Sequence, residues 1–327
     1  MDILITENVD GPALAELGKK YTIYKDAELW KNPQKLSELL PQTRAVIVRN
    51  QTKVNENFIN AAKGLIVIGR AGIGYDNIDI EVASEKGIVV CYTPEENTLS
   101  TAEHTFTLIL ALCRKLPAAH FSTKQGGWNR MEFMGKELYK KSLGILGLGK
   151  IGFRVAMRAK AFGMSINAFD NRLSNNDFVV TESGAKLMGL DELLRQSDII
   201  VDHLPLNSGT LNLLDLNKFK LMKPSALFIN TGRGETVVEK DLKEALKSKI
   251  ISGAALDVRV NEPAGMDELS NMDNVILTPH IAGLTVEAQH KVVESLAKDV
   301  GRVLKGESAF NFVNFPAFVS NGRNDGK

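Results

Sequence analysis

Unbroken apolar runs of four residues recur along the chain, among them Ala45-Val46-Ile47-Val48 and Leu65-Ile66-Val67-Ile68. A strand with one wet face alternates apolar and polar positions. A continuous run instead marks a strand covered on both faces, as in a parallel sheet layered by helices. The pattern predicts strands over 2–6, 45–48, 65–68, 88–91, 143–146, 165–169, 198–202, 225–229, 252–256 and 274–278. Helical spacing fills the gaps, for example over 150–162, 190–195 and 239–247. This alternation predicts an α/β chain built from right-handed βαβ units.

Two longer helices stand apart. One is expected over about 99–116, with Ser100 and Thr101 as candidate caps, and the other over 285–304, where Ala288, Val292, Val293, Leu296, Val300 and Val303 recur at helical spacing. The segment between them is expected to be one domain, 100–283, inserted into a discontinuous domain made of 1–99 and 284–327. A cleft that closes about the two crossovers is the expected consequence. The tail after Val319 is polar and expected to fray. The apolar run Phe106–Cys113 reads as helix core, being far shorter than the ~20 residues of a membrane span.

Composition narrows the partners. The 327 residues carry 40 Lys and Arg against 39 acids, a net charge of +1, which disfavours nucleic-acid and anionic-membrane partners. Two cysteines, Cys91 and Cys113, lack paired-ligand spacing, so neither a disulfide scaffold nor a metal site is expected. No apolar stretch behind a basic leader follows Met1, and a cytoplasmic location is the expectation.

Candidate chemistry begins at Leu143-Gly-Ile-Leu-Gly-Leu-Gly-Lys-Ile-Gly152, where Gly147, Gly149 and Gly152 spell G-x-G-x-x-G between an apolar strand and a helical pattern. The first glycine permits a tight turn, the second lets a pyrophosphate approach the backbone, and the third allows close helix packing. The N–H groups of Lys150 and Ile151, at the helix N-terminus, are the expected phosphate donors. Asp170 ends the next strand, eighteen residues past Gly152, where an acid would bond the ribose hydroxyls and repel a 2′-phosphate. NAD is therefore the expected cofactor, with Arg172 nearby to soften the discrimination against NADP.

Three later segments each follow an apolar strand: Asn230-Thr-Gly-Arg-Gly234, Asp257-Val-Arg-Val-Asn-Glu-Pro263 and Thr278-Pro-His-Ile-Ala-Gly283. Carboxyl ends of strands border the ligand crevice of an open α/β sheet, so Arg233, Glu262 and His280 are expected to converge there. Taken singly, each has a bland alternative as an ion pair, a turn or a core residue. His104, His120 and His290 are read as structural.

These motifs, with Gly69-Arg-Ala-Gly-Ile-Gly-Tyr-Asp-Asn-Ile-Asp79 and His203-Leu-Pro-Leu206, resemble the D-isomer-specific 2-hydroxyacid dehydrogenases over essentially the whole chain. Within that family, Gly69–Asp79, Val48–Lys53 and the stretch from Trp128 to Leu138 look most like the branch acting on 3-phospho-D-glycerate. The resemblance implies two Rossmann-like or flavodoxin-like domains with parallel sheets. It implies His280 as general acid/base, Glu262 orienting its imidazole, and Arg233 holding the substrate carboxylate. It places His203, Pro205, Thr231, Asp257 and Gly283 around the cofactor, with Asp257 at the nicotinamide carboxamide. It assigns Arg49, Arg70, Arg130 and the loop Ala71, Gly72, Ile73, Gly74 to the substrate, and predicts a homodimer formed by an arm that carries Arg130 to its own site or to the partner's. Lys53 reads equally well as a solvated cation. A C-terminal regulatory domain, and serine feedback through it, is not expected. The competing functions are a reductase of glyoxylate, hydroxypyruvate or another small 2-keto acid, and a non-catalytic NAD(H)-sensing corepressor-like protein.

Overall fold

A computed structural model describes residues 1–314. The chain divides into two compact units, Met1–Asn97 together with the chain from Thr285 onward, and Thr98–Leu284. The tail beyond Val319 lies outside the described residues.

The first unit carries β1 (Ile3–Ile5), β2 (Ile23–Lys25), β3 (Ala45–Val48), β4 (Val67–Arg70) and β5 (Val89–Cys91). They form a parallel sheet in the order β2-β1-β3-β4-β5, a flavodoxin-like arrangement. Alternate residues serve opposite faces. Ile3, Ile5, Ala45, Ile47 and Val67 pack with Val292, Val293, Leu296 and Val300 of the helix Val286–Leu304. Leu4, Val46, Val48, Ile68 and Val90 pack on the other side with Phe58 and Ile59. Burial on both faces is why β1, β3 and β5 are apolar throughout.

The second unit carries β6 (Ser142–Leu146), β7 (Ser165–Phe169), β8 (Lys186–Leu187), β9 (Ile199–Asp202), β10 (Leu227–Asn230), β11 (Gly253–Leu256) and β12 (Val275–Leu277). Their order is β12-β11-β10-β9-β6-β7-β8, all parallel, with the strand order reversing between β6 and β9 as in a Rossmann sheet. One face packs Leu143, Ile145, Ile199, Val201 and Ile229 against Phe106 and Ile109. The other packs Ile200, Phe228 and Ala254 against Phe219, Leu242 and Leu246.

Several expectations shift. β2 and β8 have no apolar run to announce them; β2 is only part-buried. The strand expected at 65–68 forms at Val67–Arg70, and Ser100 and Thr101 lie buried inside a helix that already begins at Thr98, so neither caps it. That helix ends at Cys113 rather than 116. Lys115 turns left-handed, and Pro117, which cannot extend a preceding helix, lies in the first turn of the next one, Leu116–Lys124.

Candidate active site

The second unit presents its chemistry along one edge. Gly147–Gly152 follows β6, Asp170 follows β7, His203 follows β9, Arg233 follows β10, Glu262 follows β11 and His280 follows β12. At ~4.8 Å per strand, the five steps from β7 to β12 span about 24 Å.

At the glycine end, Gly147 takes φ 87, and a Cβ on Gly152 would lie 2.2 Å from the Gly147 carbonyl oxygen. Only glycine lets the turn fold this tightly. The helix Lys150–Ala161 starts at Gly149 with no side-chain cap, and among the described residues a Cβ on Gly149 would meet nothing within 4 Å. An uncapped helix start opening into space suits a pyrophosphate. Gly152 is buried, Ile151 part-buried and Lys150 exposed. Asp170 is held from its own loop: Arg172 donates from its backbone N at 3.0 Å and from Nε and a terminal nitrogen at 3.3 Å each. That pairing raises the affinity of the Arg172 guanidinium for its proton.

Mid-edge, the His203 Nδ1 lies 3.3 Å from Thr231 Oγ1, which is also 2.8 Å from Thr105 Oγ1. Its Nε2 is buried and has no hydrogen-bond partner among the described residues, and burial pushes the imidazole down to about 3. An orphaned polar atom on this edge fits a nicotinamide dinucleotide lying over it. Pro205 is exposed beside it, and Gly283 is part-buried.

At the other end, the His280 Nδ1 and Glu262 Oε2 are 2.7 Å apart, both side chains partly exposed. A carboxylate there holds Nδ1 protonated and leaves Nε2 as the working nitrogen. His280 adopts φ 55, uncommon outside glycine and the sort of strain that collects at working sites. Asp257 over-determines that geometry. Its carbonyl accepts the His280 N–H at 2.8 Å, and its carboxylate accepts Ile281 N at 2.9 Å, Ala282 N at 2.8 Å and Thr278 Oγ1 at 2.6 Å. Burial alone raises this carboxyl; hydrogen bonds from His104, Thr278, Ile281 and Ala282 outweigh it and hold it below the ordinary carboxylate range. Asp257, expected at the carboxamide, is thus buried and anchors the loop of His280.

Arg233 is part-buried, with one terminal nitrogen donating to Gly232 O at 2.8 Å. Its loop is shaped by groups to which the sequence assigned no role. Asn230 accepts Gly232 N at 2.9 Å and donates to Arg233 O at 2.9 Å. Thr236 Oγ1 lies 2.7 Å from Arg233 O and 2.6 Å from Asp202 Oδ2. His104, read as structural, brings Nε2 to 3.3 Å from Thr278 Oγ1 and 3.5 Å from Asp257 Oδ1. Only its helical position was visible in the sequence.

The substrate candidates divide between the units. In the first, Arg49 follows β3 and Arg70 ends β4, neighbouring strands. Arg49 donates to Asn8 O at 3.1 Å and Gln289 Oε1 at 2.6 Å, and burial lowers its guanidinium's affinity for the proton. Arg70 is buried, donating to Ala71 O at 2.7 Å and Asn50 Oδ1 at 3.3 Å. Buried Glu7 accepts the backbone N–H groups of Arg49, Gln51 and Thr52 at 2.8, 3.0 and 2.9 Å, fixing that loop. Ala71 and Gly72 are buried, Ile73 and Gly74 part-buried, and Lys53 exposed. Arg130 belongs to the second unit and is exposed.

Residues 106–282 match the model of the D-isomer specific 2-hydroxyacid dehydrogenase, NAD binding domain. The chain belongs to this family. NAD is the cofactor its binding domain takes. The chain is 41% identical over 318 residues to a D-3-phosphoglycerate dehydrogenase of Archaeoglobus fulgidus, covering 97% of this chain and 60% of that protein. A Synechocystis D-3-phosphoglycerate dehydrogenase is 40% identical over 317 residues, 97% of this chain and 56% of its own. The chain therefore spans less than two thirds of these relatives. Among solved structures, the D-lactate dehydrogenase of Aquifex aeolicus, complexed with NAD and lactic acid, has a TM-score of 0.87 at 30% identity, covering 97% of this chain and all of that one.

Proposed function

We propose that this chain is an NAD-dependent dehydrogenase that oxidises 3-phospho-D-glycerate to 3-phosphohydroxypyruvate, the entry to serine synthesis. The observation that carries the chemistry is the 2.7 Å His280–Glu262 pair on the edge that also holds the glycine turn. The identity to two phosphoglycerate dehydrogenases supports the substrate.

His280 Nε2 takes the substrate hydroxyl proton, and Glu262 stabilises the imidazolium that results. Arg233 binds the carboxylate and steadies the negative charge on the oxygen. NAD supplies the hydride acceptor. The glycine turn holds its pyrophosphate, Asp170 its ribose, and His203, Pro205, Thr231 and Gly283 border the nicotinamide. Arg49, Arg70, Arg130 and the Ala71–Gly74 loop bind the rest of the substrate, the arginines meeting its phosphate. The unit Met1–Asn97, completed from Thr285, serves as the substrate domain, and Thr98–Leu284 as the cofactor domain.

A homodimer belongs to the same proposal. Trp128 is 81% exposed, and Leu116, Phe121, Met131, Met134 and Tyr139 are also exposed. This concentration of apolar surface suits a second copy of the chain. Among the described residues no helix is long and apolar enough to cross a membrane. We assign the protein to the cytoplasm, supported by its two free, buried cysteines.

The likeness to D-lactate dehydrogenase over that protein's full length favours a second reading, reduction of an unphosphorylated 2-keto acid. Steady-state rates with NADH and 3-phosphohydroxypyruvate, hydroxypyruvate or glyoxylate separate the two. The proposal expects kcat/KM to fall at least tenfold when the phosphate is removed; equal values contradict it. Tight NADH binding without turnover of any 2-keto acid identifies a sensor instead.

A further inference from the structure

Arg259 lies in the loop that delivers Glu262, and the chemistry above gives it no task. Its backbone N–H donates to Glu262 Oε1 at 3.1 Å, the oxygen not engaged by His280. Its side chain is only 10% exposed. Nε and a terminal nitrogen both reach Glu239 at 2.9 Å, and that terminal nitrogen also meets Asp267 Oδ2 at 2.7 Å. Lys243 joins the same carboxylates, at 3.2 Å from Glu239 and 2.6 Å from Asp267. Glu239 opens the helix Glu239–Lys247, and Asp267 caps the short helix Glu268–Asn271 through a capping box. The two-pronged fork thus pins the loop to elements on both sides.

The other face of residue 259 meets the neighbouring catalytic loop. A Cβ on Gly234 would lie 2.1 Å from the Arg259 carbonyl carbon, so the two backbones touch directly beside Arg233. Two loops that supply different catalytic groups meet at one residue.

We propose that Arg259 is a positioning residue for the reaction, setting the placement of Glu262 through its own N–H and buttressing the Arg233 loop through Gly234. The inference rests on the dehydrogenase reading for its kinetic consequence, but not for its structural one. A bidentate guanidinium fixes orientation as well as position, which an ammonium does not. Lysine at this site therefore keeps the charge and loses part of the alignment.

Arg259→Met alone leaves two carboxylates facing one lysine, so the double variant R259M/E239Q is the cleaner probe, since Lys243 then balances Asp267. In R259M/E239Q, kcat is expected to fall about tenfold or more while the Kd for NADH stays within twofold. R259K is expected between wild type and the double variant, and the losses in kcat should not track Tm. Hydrogen exchange in the 257–263 segment should rise about tenfold in R259M/E239Q with exchange elsewhere unchanged. Wild-type kcat in both variants, or unchanged exchange in 257–263, overturns the inference. If the wild-type protein turns over no 2-keto acid, the dehydrogenase reading fails, and the exchange result still decides whether Arg259 holds the loop.

Discussion

Asp202 and His203 sit side by side at the end of β9 with opposed titrations. Burial raises Asp202 to about 6, against hydrogen bonds from Thr236 and Leu204 that lower it. Burial pushes His203 down to about 3. An acid raised above its unfolded value loses stability as pH climbs, here between about 4 and about 6. A histidine depressed below its unfolded value loses stability as pH falls, here from about 6.5 toward about 3. Over the shared window the two slopes cancel. Asp202→Asn should unmask the histidine, so that stability drops by about 1.4 kcal/mol per pH unit as pH falls from 6 toward 4. Urea denaturation at several pH values checks it; a variant profile as flat as wild type's is the contrary result. Asp170 offers a second residue-scale test. Its carboxylate is the group proposed to refuse a 2′-phosphate, so Asp170→Ala should cut the preference for NADH over NADPH at least tenfold in kcat/KM, with Arg172 then released toward the phosphate.

Elements carry the site because the sequence commits them locally. The third glycine of the turn was legible as a packing glycine, and the 2.2 Å approach to the Gly147 carbonyl gives that role a physical limit. In Gly152→Ala the added methyl meets the Gly147 backbone first, with Ile145 Cγ2 at 3.1 Å behind it, so the turn must open and the Kd for NADH should rise at least tenfold by fluorescence titration. The helix Val286–Leu304 begins at Thr285, whose side chain accepts Ala288 N at 3.1 Å. Thr285→Ala should cost about 1 kcal/mol in chemical denaturation. The apolar runs revealed the buried strands. They did not reveal β2 or β8, which are short and less than fully buried. The helix start at Thr98 was also hidden, because Ser100 and Thr101 carry the residue types of caps while lying within the first turns. His104 escaped for a related reason. A polar residue at a helical position is indistinguishable from a surface one until Asp257 and Thr278, more than 150 residues later, fold beside it.

At the scale of the whole molecule, the sequence displayed the order of the candidate catalytic groups and the sheet converted order into place. Arg233, Glu262 and His280 each follow their own strand, and β10, β11 and β12 are neighbours in parallel, so residues remote in the chain share one edge. That inference needed only the apolar strands and the rule that ligands gather at their carboxyl ends. The sequence did not disclose the scaffolding beneath: Asn230, Thr236 and Asp202 around Arg233, Asp257 under His280, and Glu7 under Arg49. These are polar side chains whose purpose is a backbone N–H or carbonyl elsewhere, and no spacing rule announces such partners. In the proposed reaction the imidazole of His280 moves the hydroxyl proton, while the groups proposed to grip the cofactor lie elsewhere on the edge. The most direct measurement is the turnover of His280→Ala with NADH and 3-phosphohydroxypyruvate, taken beside its Kd for NADH. A kcat lower by about 10²–10⁴-fold with the Kd unchanged is the expected result; a kcat within twofold of wild type would rule out His280 as the proton carrier.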